Sequence, residues 1–202
     1  MVPVVFAKTR VLERCQEGII FLFSLFNSIR AYRVKKSLAD CFDALAKVQN
    51  ALFIPYLDQD YLLHQSYYNK LINTKRRHFL RKTQHARQLV KKNEKYQAVF
   101  SKIENLYEII CSLHLLLFRV DEYAIFDICR REMQGIEKES TNLLLALAKN
   151  QPIDTQLLFN EVHLFETLFE RTLQIVVRDP NIFLFFIQDL YAFNTVVTTI
   201  SQ

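Results

Sequence analysis

Apolar residues recur at helical spacing through almost the whole chain. Leu38, Cys41, Phe42, Leu45, Val48 and Leu52 form one stripe, and Asp40, Asp43, Lys47 and Gln49 fall off it. The pattern predicts a first helix from Val4 to Phe53, interrupted only by Gly18 and ended at Pro55, with Asp58 and Asp60 available as caps for the next. A second helix is expected from about Asp60 to Lys92, and a third from about Tyr96 to Phe118. The third carries the stripe Ile103, Leu106, Tyr107, Ile110, Leu113 and Leu117, with Glu104, Asn105, Glu108 and Ser112 away from it. One helix from Tyr96 to Lys149 would run about 80 Å at 1.5 Å per residue. A break is therefore placed at Arg119–Asp121, with Asp121 capping a fourth helix to Lys149. Asn150-Gln151-Pro152 is a stop, and Asp154 can cap a fifth helix with Leu158, Val162, Phe165, Leu168, Phe169, Leu173 and Val176 on one side and Glu161, Glu166 and Glu170 mostly on the other. Asp179-Pro180 reads as a cap followed by Pro at the first helical position. The last helix, to about Thr199, opens apolar nearly all round (Ile182 to Ile187), as in a core centre or a helix packed on something outside the chain.

Two glycines and four prolines in 202 residues leave few sites for tight turns. Few turns mean few, long elements. The expected fold is all-α: an elongated antiparallel bundle of five or six long helices, one domain over 1–202, with 1–30 readable as membrane-proximal. Half of the residues are hydrophobic, enough for a sizeable core. Cys15, Cys41, Cys111 and Cys129 show no C-x-x-C spacing and sit in apolar surroundings, so buried free thiols in a reducing compartment are expected. No basic leader precedes the apolar N-terminal residues, and no secretory signal peptide is read. Ile19–Ile29 is short for a membrane span, and Ile182–Ile200 carries Gln188, Asp189 and Asn194, so both read as buried or interfacial helices.

Charge is local. Lys70 to Lys95 holds ten Lys or Arg and one acid, Glu94, while the whole chain is only +5. The segment could be a solvated face balanced by glutamates of the third and fifth helices, a surface for anionic lipid, or a nucleic-acid patch. Its cations wrap much of the helix, which argues against groove binding and makes nucleic acid the least favoured partner. A second basic cluster, Arg30, Arg33, Lys35 and Lys36, follows Ile19–Ile29 at once, as at the cytoplasmic end of a membrane-inserted segment or the cationic end of a core helix.

No catalytic constellation is legible. Glu-x-x-His, His-Glu-x-x-His and Gly-x-Ser-x-Gly are absent, and two glycines cannot build a phosphate-cradling loop. His78 and His85 share a helix face, but Lys75, Arg76, Arg77, Arg81, Lys82 and Arg87 around them oppose a bound cation. Cys111 and His114 are neighbours on one helix without a recognisable third group. Asp121 and Glu122 read as helix-start acids. No metal, cofactor or catalytic residue is expected.

The stretch Arg30-Ala-Tyr-Arg-Val-Lys-Lys-Ser-Leu-Ala-Asp-Cys-Phe-Asp-Ala-Leu-Ala-Lys47 resembles the helix that leaves the membrane in the fusaric acid resistance protein-like (FUSC, aromatic acid exporter) inner-membrane family. Ile103-Glu-Asn-Leu106 and Glu139 to Ala148 are similar to its all-helical soluble domain, so the resemblance covers about Ile19 to Ser201. It implies a non-enzymatic helical domain on the cytoplasmic side of a bacterial inner membrane, with a role in assembly or regulation. The family's transmembrane halves are not in this chain, so transport by it alone is not implied. The residues expected to meet anionic lipid or a membrane-protein partner are Arg30, Arg33, Lys35, Lys36, Lys75, Arg76, Arg77, Arg81, Lys82 and Arg87. The other reading is a helical interaction module or secreted effector that binds an acidic protein or nucleic acid through the basic helix.

Overall fold

The computed structural model describes residues 3–58, 60–91, 93–120, 124–173 and 177–201, and side chains for these except 3–23, 25, 26, 61, 62, 124 and 201. All regular structure among the described residues is helical: α1 (Pro3–Leu57), α2 (Tyr61–Val90), α3 (Glu94–Phe118), α4 (Ala124–Ile128), α5 (Arg130–Lys149), α6 (Gln156–Leu168), a π-helical turn (Phe169–Leu173) and α7 (Asn181–Ser201). This is the all-α bundle that the scarcity of turn residues predicts. Asp121, Glu122, Lys92 and Val176, and the side chains of Cys15, Ile19–Phe23, Leu25 and Phe26, lie outside what the structure describes. The chain forms two compact units, Met1–Lys36 and Ser37–Gln202.

In the larger unit the centre is the end of α1, not α7. Leu38, Cys41, Phe42, Leu45, Val48 and Leu52 are buried as their spacing predicts, and so are Ala44, Ala46, Ala51, Phe53 and Tyr56 on the remaining sides. Alanine burial on these sides means that the helix is covered from several directions. α2 meets this helix through Lys82–Asp40 and Tyr68–Asp58, α3 through His114–Tyr56, α5 through Ser140–Gln49 and Glu137–Asn50, and α7 through Phe186–Phe53. The pairings 40 with 82 and 58 with 68 run α2 antiparallel to α1, and 50 with 137 and 57 with 130 do the same for α5. The α3 stripe Ile103, Leu106, Ile110, Leu113 and Leu117 is buried, and α3 packs along α7. α6 lies antiparallel on α7, with Phe165 and Phe169 against Phe183 and with Tyr191 Oη donating to Glu166 at 2.8 Å.

Four local expectations change. Pro55 does not stop α1, because it sits in the last turn and the helix closes at Leu57. Asp58 then pins the turn. It accepts hydrogen bonds from His64, Tyr68 and the Asp60 N–H, which hold its carboxyl down at about 2. The expected fourth helix is divided at Cys129 into α4 and α5. The opening of α7 is not buried all round, since Phe183 and Phe186 face inward while Leu184 and Phe185 face solvent. Among the described residues only Asn181–Ile200 is long and apolar enough to cross a membrane by length and composition, and its inner stripe packs on α3 and α6. Two caps follow the sequence: Asp154 accepts from the Gln156 N–H and Asp179 from the Asn181 N–H. Asp60 stands at the start of α2 without a side-chain capping hydrogen bond, and Asn93, which the sequence reading does not name, caps α3 by accepting from the Tyr96 N–H.

Gln49, expected off the stripe, is fully buried because α5 covers that side. Its amide donates to Ser140 Oγ at 2.9 Å, and its Oε1 has no partner. Ser140→Ala alone should therefore cost about 1–3 kcal/mol by stranding the amide. Gln49→Leu combined with Ser140→Ala should be neutral or stabilising, because both polar partners leave together. Urea unfolding of the three variants measures this, and a double variant weaker than Ser140→Ala would refute it.

Candidate functional site

α2 contains no Asp or Glu in thirty residues, against seven Lys or Arg and three His. Tyr68, Ile72, Phe79, Thr83, Ala86 and Val90 recur at spacings of three, four and seven and are buried. The opposite face, 63, 67, 70, 74, 77, 81, 84 and 88, is exposed along the whole helix. The cations are sorted by this geometry. Lys82 Nζ reaches Asp40 of α1 at 2.8 Å. Arg87 pairs with Glu104 of α3, and its guanidinium lies 5.8 Å over the Phe100 ring. Arg76 turns to α3 and donates to Cys111 Sγ at 3.7 Å, leaving its buried Nε without a partner.

Lys75, Lys70, Arg77 and Arg81 carry no ion pair among the described residues, and the last three lie on the outer face. At the head of that face stand Leu63, 81% exposed, and Tyr67, 63% exposed, with Leu80 at its flank. The structure thus removes Arg76, Lys82 and Arg87 from the outer face and puts Lys70, Tyr67 and Leu63 with Arg77 and Arg81. Glu104 of α3 is one of the glutamates that the sequence offers as balance, whereas Asp40 comes from α1, which the charge pattern does not point to. In the smaller unit Arg30, Arg33, Lys35 and Lys36 are all exposed and unpaired among the described residues, with Ile29 and Tyr32 exposed between and beside them. Their positions wind round the helix and do not share one face.

Arg76 gives the α2–α3 interface its electrostatics. His114 is mostly buried, and burial together with the Arg76 charge pushes its pKa down to about 4 against the pull of a hydrogen bond to the Leu52 backbone. Tyr56 Oη lies 3.2 Å from His114 Nδ1. Tyr107 stacks on Phe79, with centroids 4.6 Å apart, and burial and Cys111 raise its pKa. Cys111 and His114 are not hydrogen-bonded to each other among the described residues, since one faces Arg76 and the other Tyr56. Cys41, Cys111 and Cys129 are free thiols; burial is the main force that pushes Cys41 and Cys129 up to about 12. Among the described residues no three His, Cys, Asp or Glu gather as metal ligands.

No family model matches the chain, and no curated protein or solved structure matches it either.

Proposed function

We propose that the chain is a non-enzymatic helical module that docks on an anionic membrane surface through the outer face of α2. The observation that carries this reading is the line Leu63, Tyr67, Lys70, Arg77, Arg81: apolar and aromatic side chains next to unpaired cations, on a helix without a carboxylate. Lys and Arg near an anionic leaflet contribute about 1 kcal/mol each, while Leu and Tyr rings favour the headgroup–acyl boundary. Arg30, Arg33, Lys35 and Lys36 supply a second set of exposed cations beside the apolar Ile19–Ile29 sequence. The resemblance to the fusaric acid resistance protein-like family supports the same location, the cytoplasmic side of an inner membrane, and a role in assembly or regulation.

Flotation with vesicles of increasing phosphatidylglycerol content tests the reading. The Lys70→Gln/Arg77→Gln/Arg81→Gln variant should lose at least about tenfold in apparent affinity, because three contributions of about 1 kcal/mol are removed. Binding of the wild type should weaken as salt rises. Equal flotation of wild type and variant removes α2 from the interface. Capture of an acidic protein or nucleic acid by this face, without vesicle binding, moves the conclusion to the interaction-module reading.

A further inference from the structure

Where α2 turns into α3, the two helices leave an open cleft of about 500 Å³. It lies on the α3 side of α2 at the helix's C-terminal end and touches the outer face only at Gln88; none of Leu63, Tyr67, Lys70, Arg77 and Arg81 lines it, so it does not depend on the membrane-docking assignment. Arg87 and Lys91 stand one turn apart on its α2 wall. Gln97, Ser101 and Glu104 follow at spacings of four and three on the α3 wall, and buried Phe100 forms apolar floor between them. Two cations therefore face one carboxylate.

We propose that this cleft binds a small hydroxylated phosphate ester, either free in solution or as a lipid headgroup. Arg87 is held ready for it. Glu104 takes one of its N–H groups and the Phe100 ring supports the guanidinium plane, so its remaining donors are fixed before a ligand arrives. Lys91 adds a second positive charge, and exposed Ser101 offers a hydroxyl. Gln97 spends its amide NH2 on the Lys91 carbonyl at 2.8 Å, which fixes the turn and leaves its own carbonyl oxygen as an acceptor for an ester hydroxyl. A lone carboxylate ligand would use the cations but not this donor–acceptor pairing.

Calorimetric titration of the full chain with inorganic phosphate and with glycerol 3-phosphate tests the free ester, and vesicles of phosphatidylglycerol in phosphatidylcholine test the headgroup. Glycerol 3-phosphate should bind more tightly than inorganic phosphate. Arg87→Gln/Lys91→Gln should weaken glycerol 3-phosphate binding at least tenfold, while Lys70→Gln/Arg77→Gln/Arg81→Gln, whose loss is confined to vesicle docking, leaves binding of the soluble ester unchanged. Ser101→Tyr, which fills the cleft with both cations kept, should cause the same loss and serves if the double variant melts early. Vesicle binding that Arg87→Gln/Lys91→Gln abolishes, with no uptake of the soluble ester, identifies a lipid headgroup as the source. Soluble and vesicle binding that survive both cleft variants, or the absence of both in the wild type, overturns the proposal. The outer-face reading stands or falls separately on its own triple variant.

Discussion

Phe53→Ala should destabilise the larger unit by about 3–5 kcal/mol, the cost typical of emptying a buried aromatic site. Phe53 has no exposed surface and sits on the central helix, its ring centroid 6.2 Å from that of Phe186. Phe186 in turn meets Phe165, and Phe165 meets Phe183, so one ring deletion opens a cavity where α1, α6 and α7 converge. These rings belong to three different helices and cannot all collapse into the void at once. A typical domain is stable by only about 5–15 kcal/mol, so the variant should lose a large share of its stability margin. Phe185→Ala, two residues from a core ring but 56% exposed, should change stability by less than about 0.5 kcal/mol. Urea midpoints of the two variants measure the contrast. A cost below about 1 kcal/mol for Phe53→Ala would mean that the centre of the bundle lies elsewhere.

The elements were legible because helix formation and burial on one face leave a local record. The Ile103–Leu117 stripe of α3 and the Asp154 and Asp179 caps can be read without knowing any neighbour. The centrality of residues 38–56 could not. A single helix shows which stripe is most apolar, but Ala44, Ala46, Ala51 and Gln49 are small or polar and look like outer positions. They are buried because other helices close on this stretch, α5 on Gln49 through Ser140 among them. The apolar opening of α7 misled in the opposite sense, since sequence cannot say which of two phenylalanines, Phe185 or Phe186, meets a neighbour. The break at Cys129 carries no Gly or Pro to announce it.

The candidate site was half legible for the same reason. The count of cations on α2, and the lack of acids there, are sequence facts. Which cations remain available depends on partners distant in the chain. Asp40 takes Lys82 across 42 residues, and Cys111 takes Arg76 across 35. Lys70, at the margin of the basic run, lies on the outer face by its helical position and has no ion pair among the described residues. The α2–α3 cleft needs residues from both walls and left no motif in either.

Acidification should destabilise the protein in two separable windows, the upper one set by His114. The unfolded chain gains this proton near pH 6.5, while the folded site resists it until about pH 4, chiefly through burial and next through the Arg76 charge. The stabilising effect is therefore complete above pH 6.5 and drains away as pH falls to about 4. At about 1.4 kcal/mol per pKa unit the whole window is worth on the order of 3 kcal/mol, an upper bound for a ring that keeps some solvent. Asp58 acts below that window. Its pKa of about 2 means that its contribution is present above 3.8 and fades only as pH drops further. His114→Gln should flatten the stability profile between pH 6.5 and 4 whatever its effect at pH 7. Arg76→Gln should raise the His114 pKa part of the way back, since burial, the larger cause, remains. Urea unfolding at half-unit pH steps, with the His114 ring protons followed by NMR, gives both readings. An unchanged wild-type stability from pH 7 to 4.5, or a ring that titrates at its ordinary value in the folded protein, would show that His114 is not buried against Tyr56 within reach of the Arg76 charge as described.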